Sequence, residues 1–256
     1  WRKTCRLAPP PPLSAMASPG ETLPSDIQLV LFDMAGTTVD DIVAGVPLVI
    51  AAFRAAFKNH DGSEISTEQA NEVRGYEKKD AIRRLICALR GIADADVSAE
   101  EVATIFAIFK HELDKLTESL NSEVQGASAV FAQLKEKGIK VYVGSGFPEH
   151  VVRGIVANMG WTIDGALSSD ALGAGRPDPI MVHKAMELSG VSDPRRVLKV
   201  GDTQVDVEEG HNAGARTVAV LTGTQSREKL MAAKPDFILG SVADLPRLFG
   251  WPCPSL

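Results

Sequence analysis

The chain has 256 residues, of which 45% are hydrophobic and 23% are charged, and its formal net charge is −6. These values are typical of a globular protein with one large or two modest domains, and they exclude a disordered or fibrous chain. The acidic balance lacks the positive field that nucleic-acid binding requires, and no apolar run approaches the roughly 18–20 residues of a membrane span. We therefore expect no nucleic-acid partner and no membrane-spanning segment.

The first 25 residues have the composition of a disordered or artefactual arm. Four consecutive prolines, 9–12, prevent a helix, and Met16 is a plausible natural start. The same prolines disfavour the amphipathic helix of an organellar transit peptide, although targeting by this arm stays open. Three scattered cysteines are too few for a disulfide framework and indicate a reducing compartment, by default the cytoplasm. Residues 251–256 are expected to form a frayed tail.

The folded sequence opens with a short strand that is followed by a long helical insertion. Residues 27–32 form an apolar run that ends at Asp33, which is typical of a strand buried on both faces. Residues 43–122 contain helical patterns only: 46–58, 66–74, 77–90 and 98–120, the last of which opens with a capping box. A segment of this size cannot be a loop, so we expect a separate helical subdomain over the end of the strand.

From residue 123 onward, strands alternate with helices. Apolar runs predict further strands at 139–143, 196–200, 217–221 and 237–239, and helical patterns fall at 127–137, 149–159, 179–189 and 205–213. This alternation predicts an α/β fold, a parallel sheet with helices on both faces, built from residues 26–42 and 123–250. Ligands bind such sheets at the carboxyl ends of the strands, where Asp33, Ser145 and Asp202 lie.

Four segments near these strand ends carry side chains suited to phosphate chemistry. Asp33 opens the segment DMAGTTVD, where a carboxylate can be a nucleophile or a metal ligand. Taken alone, the segment is equally well explained as the end of a strand, followed by ordinary turn residues. Ser145 offers a hydroxyl and backbone N–H groups near a helix start, and Arg176 is a fixed cation suited to an oxyanion. Asp202 and Asp206 lie four residues apart at a strand-to-helix turn, which suits octahedral Mg²⁺.

In this order, the nucleophile, hydroxyl, cation and acidic pair resemble the four motifs of the haloacid dehalogenase (HAD) superfamily over about residues 27–248. Within the superfamily, the chain is most similar to phosphonoacetaldehyde hydrolases (phosphonatases) and phosphonatase-like relatives. The segments that carry this similarity are DMAGTTVD (33–40), GRPDPIM (175–181) and VGDTQVDVEEG (200–210). The resemblance implies a Rossmann-like HAD core with an inserted α-helical C1-type cap, and a homodimer formed through the cap.

The resemblance also implies roles for the site residues. Asp33 would attack phosphorus and form an aspartyl-phosphate, which water then cleaves. The ligands of Mg²⁺ would be Asp33, the backbone carbonyl of Ala35, Asp202 and Asp206. The groups that bind the phosphoryl oxygens would be Thr37, Ser145, Gly146 and Arg176.

Position 35 separates the subfamilies. Phosphatases of the superfamily carry an aspartate there, which protonates the leaving alcohol, whereas Ala35 has no proton to donate. Phosphonatases also have alanine, because a cap lysine forms a Schiff base with the substrate aldehyde and activates the leaving group in that way. The segment RGYEKKD (74–80) resembles their lysine segment and assigns the Schiff-base role to Lys78.

A helical wheel gives an independent indication for Lys78. At about 100° per residue, Lys78 falls on the same apolar stripe as Ile82 and Leu85, whereas Lys79 lies about 70° from its centre. A lysine on the apolar side of a helix N-terminus should have a lowered pKa, as a nucleophilic amine requires. The alternative is that the Lys78 stem extends along the edge of a core face.

Other features keep further functions open. Arg74 and Ala81 stand where we expect a methionine and a histidine in a phosphonatase, and the segment GSGFP (144–148) also differs from the phosphonatase motif. The expected substrate is a small phosphonate or phosphate, most simply phosphonoacetaldehyde. The alternatives are a phosphomonoesterase of small metabolites and a catalytically silent binding scaffold, whereas the acidic pair disfavours a metal-independent dehalogenase.

Overall fold

A computed structural model describes residues 23–118 and 120–254. Most of the predicted arm, residues 1–22, and the last two residues of the predicted tail lie outside the described part. The arm's remaining residues begin inside the fold: Leu23 is buried, and its N–H donates to the Leu248 carbonyl at 2.8 Å.

Six parallel strands form the central sheet. In chain order they are β1 (Leu29–Asp33), β4 (Lys140–Ser145), β5 (Gly165–Ser168), β6 (Val197–Gly201), β7 (Arg216–Val220) and β8 (Phe237–Leu239). A short antiparallel hairpin, β2 (Ile42–Val43) and β3 (Val46–Pro47), follows β1. The spatial order of the sheet is β5-β4-β1-β6-β7-β8, so the first strand lies near the middle. The predicted α/β fold with a parallel sheet is confirmed.

The helices belong to two groups. The inserted group is α1 (Leu48–Asp61), α2 (Thr67–Glu72), α3 (Lys78–Arg90) and α4 (Ala99–Thr117). The group that flanks the sheet is α5 (Ala127–Glu136), α6 (Glu149–Met159), α7 (Ser169–Leu172), α8 (Ile180–Ser189), α9 (Gln204–Asn212), α10 (Arg227–Ala232) and α11 (Leu245–Leu248). Within the described ranges, no helix combines the length and the apolar character that a membrane span needs.

The sheet is buried on both faces because side chains alternate along each strand. Val30 and Phe32 of β1 face the layer that contains α5, where the Phe32 and Phe131 ring centroids lie 5.1 Å apart. Leu29 and Leu31 point the other way, into a cluster that includes residues of α8. A strand covered on both sides must be apolar throughout, which is the pattern that made β1 recognisable.

The sequence prediction missed β5 because this strand lies at the edge of the sheet. It pairs only with β4, and its short segment GALS contains a glycine and a serine instead of an apolar run. The helix predicted from residue 46 begins at Leu48, since Val46 and Pro47 pair with β2 across a turn in which Ala44 has a φ of 51°. These local pairings carry no periodic signal.

The predicted capping box of α4 is only half formed. Ser98 accepts a hydrogen bond from the backbone N–H of Glu101, as the motif requires. The Glu101 carboxylate turns away from the helix start and pairs with Arg90, at 2.5 Å, and with His60, at 3.2 Å. Glu101 therefore joins α4 to α3 and α1 instead of closing the box.

The inserted helices form a cap whose loop before α3 rests on the strand ends. α1 and α4 pack through Phe53 and Phe109, with ring centroids 4.7 Å apart. Gly75 has a φ of +97°, and a Cβ there would lie 2.6 Å from the Thr203 hydroxyl of the core. A residue with a side chain would therefore be strained and would push the cap away from the sheet.

Phe131→Ala should destabilise the protein by about 3–5 kcal/mol, because it empties a site that is filled by an aromatic cluster. The Phe131 ring contacts Phe32 and meets Trp161 edge-on at 5.2 Å. Urea unfolding followed by circular dichroism measures the change. The matched control, Met231→Ala at a residue that is 54% exposed, should stay within about 0.5 kcal/mol of wild type. Similar losses in both variants would contradict this account of the core.

Candidate active site

The register of the three central strands brings the predicted residues together. Asp33 pairs with Gly144, so Ser145 follows immediately on the neighbouring strand. On the other side, Phe32 pairs with Val200, which places Asp202 just beyond the end of β6. Because the strands are parallel and in step, their carboxyl ends form one floor under the cap.

Arg176 is the cation between the two acidic strand ends. Its Nη1 lies 2.6 Å from Asp33 Oδ1 and also contacts Asp206 Oδ1. All three side chains are buried, so the guanidinium offsets the desolvation of both carboxylates. The Arg176 Nε is buried and has no hydrogen-bond partner among the described residues. It is a donor that a further anion at this place could use.

A second buried cation, Lys199, supports Asp206 from within the sheet. The Lys199 Nζ lies 3.1 Å from Asp206 Oδ1 and 2.8 Å from Glu209 Oε2. Burial by itself raises the pKa of Asp206, but Arg176, Lys199 and a hydrogen bond from Thr203 outweigh it and lower that pKa to about 2. Asp206 is therefore ionised, and most of its hydrogen-bonding capacity is already used by the protein.

Asp202 has fewer polar partners than Asp206. Thr37, a predicted substrate-binding residue, donates its hydroxyl to Asp202 Oδ1 at 3.1 Å. The other oxygen, Oδ2, is buried and has no hydrogen-bond partner within the described residues. Burial accordingly raises the pKa of Asp202 to about 8, although the charge of Arg74 opposes the shift. Thr37 thus orients Asp202 in this arrangement, and its role in binding phosphoryl oxygens stays a prediction.

The surroundings of Asp202 fit a small hard cation. Carboxylate oxygens of Asp33, Asp202 and Asp206 all lie within 4.8 Å of one another. A Cβ on Gly223 would lie only 1.8 Å from Asp202 Oδ2, so a glycine is needed to leave room for that oxygen. An unpartnered buried carboxylate oxygen among other oxygen donors is the chemistry that Mg²⁺ prefers. These residues could hold a divalent metal. Of the three acids, Asp206 already has the most protein partners: Arg176, Lys199 and Thr203.

Lys78 reaches the same place from the cap. It is the first residue of α3, it is buried, and its Nζ donates to the Tyr76 carbonyl at 3.1 Å. A Cβ on Gly146 would lie 3.2 Å from Lys78 Nζ, so the glycine of the β4 loop permits this approach. Burial, assisted by the charge of Arg176, lowers the pKa of Lys78 to about 8. Lys79 is exposed, and its Nζ lies 5.1 Å from the Phe106 ring centroid.

A small cavity connects these groups. It is lined by residues of both cap and core: Asp33, Ala35, Val49, Arg74, Gly75, Lys78, Ser145, Phe147, Arg176, Asp202 and Thr203. Its volume is about 10 Å³, which is room for roughly one water molecule. In this arrangement the space is smaller than a substrate with a phosphorus centre. Ser145 faces the cavity and accepts a hydrogen bond from the Phe147 N–H at 3.3 Å.

The sequence analysis assigned no role in the charged site to Lys199, Glu209, Asp41 or Arg74. Lys199 had a signal, since it is a cation inside an otherwise apolar strand. Asp41 had none, because its partner Arg74 lies 33 positions away, with an Nη2 to Oδ2 distance of 3.2 Å. Only the folded chain brings these two side chains together.

Comparison with known proteins identifies the class of this site. Residues 27–214 match the family model of haloacid dehalogenase-like hydrolases, so the chain belongs to that family and is a hydrolase. It is 35% identical to the phosphonoacetaldehyde hydrolase of Bacillus cereus over 210 residues, which is 77% of each chain.

Solved structures of the same fold carry different names. A phosphonoacetaldehyde hydrolase-like protein from Oleispira antarctica has a TM-score of 0.77 and 24% identity, covering 88% of this chain and 92% of its own. A predicted phosphoglycolate phosphatase from Haemophilus somnus has a TM-score of 0.70 and 20% identity, covering 87% and 98%. The fold is therefore shared by chains with different names, and the choice of substrate depends on individual residues.

Lys199→Met should cost about 3–5 kcal/mol of stability, because it leaves the buried Glu209 without its contacting cation and Asp206 with Arg176 alone. The loss should shrink as the pH falls from 8 to 5.5. In the variant, the pKa values of Asp206 and Glu209 rise in the folded state, so the folded protein binds protons that the unfolded chain does not and gains stability toward acid. Urea unfolding at both pH values measures this.

The double variant Lys199→Met/Glu209→Gln is the matched control for that prediction. It removes one of the two carboxylates that contact Lys199 and should recover at least half of the lost stability. A double variant that is less stable than Lys199→Met, or a single variant within about 1 kcal/mol of wild type, would show that charge compensation is not the role of Lys199.

Proposed function

We propose that the protein is a Mg²⁺-dependent phosphonatase-like hydrolase that cleaves the P–C bond of a small phosphonate aldehyde, most simply phosphonoacetaldehyde. The observation that carries this proposal is the position of Lys78, a buried lysine with a lowered pKa that shares a cavity with Asp33 and Arg176. An amine at this place can form an imine with an aldehyde whose phosphoryl group lies against Asp33.

The absence of an acid at position 35 supports the same substrate class. A phosphate ester needs a proton donor for its leaving alcohol, and Ala35 supplies none. An imine on Lys78 removes that need, since the leaving carbon departs as an enamine instead of an alkoxide. The name of the Bacillus cereus relative is in line with this substrate.

The proposed reaction has two stages: cleavage of the P–C bond through an imine, and release of the products from Lys78 and Asp33. The Lys78 amine adds to the aldehyde and releases water, which gives a protonated imine. An Asp33 oxygen then attacks phosphorus, the P–C bond breaks, and its electron pair moves into the imine to form an enamine. The enamine takes a proton at carbon, and water releases acetaldehyde and restores Lys78. A second water hydrolyses the aspartyl-phosphate to phosphate and free Asp33.

Ser145 and Arg176 are suited to the phosphoryl oxygens during this attack. Both side chains line the same cavity as Asp33, and the buried Arg176 Nε has no hydrogen-bond partner among the described residues. Mg²⁺ would be held by Asp33, the carbonyl of Ala35 and Asp202, with Asp206 close by, and would supply positive charge toward the phosphoryl group.

Because Asp33 is the proposed nucleophile, Asp33→Asn should abolish turnover on any substrate.

Lys78→Arg should lose phosphonoacetaldehyde cleavage by about 10³-fold or more, because a guanidinium keeps the charge but does not form an imine. Lys79→Arg should stay within about twofold of wild type, since the Lys79 side chain is exposed and lies on Phe106. Phosphate release measures both. Borohydride added with the aldehyde should reduce the imine, and peptide mass mapping should locate the adduct on Lys78.

Two outcomes would contradict the Schiff-base assignment. One is an adduct that maps to Lys79. The other is a Lys78→Arg variant that retains most of the phosphonate activity. Brisk wild-type turnover of alkyl phosphates, with none of phosphonoacetaldehyde, would identify the chain as a capped phosphomonoesterase instead.

The rate of borohydride trapping should rise with pH and reach half its maximum near pH 8. The reason is that burial lowers the pKa of Lys78 to about 8, so that roughly a tenth of the amine is free at pH 7 and most of it above pH 9. Trapping at a series of pH values by mass spectrometry measures the midpoint. A midpoint near the ordinary lysine value of about 10.4 would mean that Lys78 is solvated in the reacting form.

A further inference from the structure

Arg74 is a buried cation at the edge of the proposed metal site. It lies between α2 and α3, and only 3% of its surface is exposed. Its Nη2 lies 3.2 Å from Asp41 Oδ2, and its Nη1 donates to the Thr224 hydroxyl at 3.2 Å. Arg74 is therefore a cap side chain whose polar contacts are all with residues outside the inserted helices.

The same guanidinium reaches two oxygens of the proposed metal site. Nη2 donates to the Ala35 carbonyl at 3.0 Å and lies 3.8 Å from Asp202 Oδ2. These are the carbonyl oxygen and the unpartnered carboxylate oxygen that a divalent cation would use. A Cβ on Gly36 would lie 2.8 Å from Nη2 and 2.9 Å from Asp202 Oδ2, so the two groups border one small space.

An ordinary cap-to-core ion pair would not need these contacts. Asp41 alone would neutralise the guanidinium, yet Nη2 also donates to a carbonyl and faces a second carboxylate. Two cations that use the same oxygen repel each other, and in a buried site water screens that repulsion only weakly. Arg74 and a divalent metal therefore compete for the same two oxygens.

We propose that Arg74 competes with the divalent cation: without the metal, its guanidinium donates to the Ala35 carbonyl and lies against Asp202 Oδ2, and metal binding displaces it from both oxygens. This inference rests on the metal site of the proposed function. It couples metal binding to the contact between cap and core. A metal that binds the two oxygens also removes Arg74 contacts that hold the loop before α3 on the core.

Titration calorimetry with MgCl₂ alone, without substrate, tests the competition directly. Arg74→Gln should bind Mg²⁺ at least about tenfold more tightly than wild type, since it removes the competing charge. Arg74→Lys keeps the positive charge on a shorter side chain, so its Mg²⁺ affinity should lie between those of wild type and Arg74→Gln. Asp41→Asn should weaken Mg²⁺ binding, because it leaves Arg74 without its own counter-ion. A merely structural role for the pair would weaken binding in both Arg74→Gln and Asp41→Asn.

The control is Arg83→Gln, which removes one positive charge from the cap at a partly exposed residue paired with Asp94. It should leave the Mg²⁺ affinity within about twofold of wild type. Equal Mg²⁺ binding by wild type and Arg74→Gln, or weaker binding by the variant, overturns this inference alone. If neither protein binds Mg²⁺, the metal site of the proposed function is wrong and the inference falls with it.

A measurement on the unmodified protein covers the case in which the variants do not fold. Amide hydrogen exchange of the peptide that contains residues 71–77 should become at least about threefold faster when Mg²⁺ is added without substrate, because the Arg74 contacts are lost. Unchanged or slower exchange in this peptide, under conditions where calorimetry detects Mg²⁺ binding, overturns the competition.

Discussion

The structure depends on the balance of charge at the carboxyl end of its central strands. The buried ionisable side chains there are five acids and four bases: Asp33, Asp41, Asp202, Asp206, Glu209, Arg74, Lys78, Arg176 and Lys199. Desolvating a charge costs several kcal/mol unless an opposite charge or hydrogen bonds compensate for it. Asp202 has the most distant cation of the five acids, since Arg74 lies 3.8 Å from its Oδ2, and it belongs to the acidic cluster that could hold a metal.

This constraint explains why the cap and the core form one site. The sheet by itself brings acids together. Two of the cations that offset the charge of these acids, Arg74 and Lys78, come from the cap. In the arrangement of the structure, the same cap side chains line the cavity and offset the charge of the core acids. The position of the cap therefore determines both the electrostatics of the site and the space in it.

The fold does not determine the reaction, since chains named for phosphonate and for phosphate ester chemistry share it. The proposed reaction depends on two local features. Position 35 is an alanine, which has no proton to donate, and Lys78 is a buried amine that lines the same cavity. Arg74 is a third feature, and it lies next to the Ala35 carbonyl and Asp202.

The sequence by itself determined five of the six strands of the sheet and the longer helices, the acids at the strand ends and the face of α3 on which Lys78 lies, because periodicity and turn residues are local signals. It could not give β5, whose edge position requires no apolar run, or the hairpin after β1, whose pairing leaves no periodic trace. The partners of Arg74, the lone oxygen of Asp202 and the size of the cavity were decided only by the tertiary structure. Each depends on side chains that are distant in sequence and meet only when the cap folds back onto the sheet.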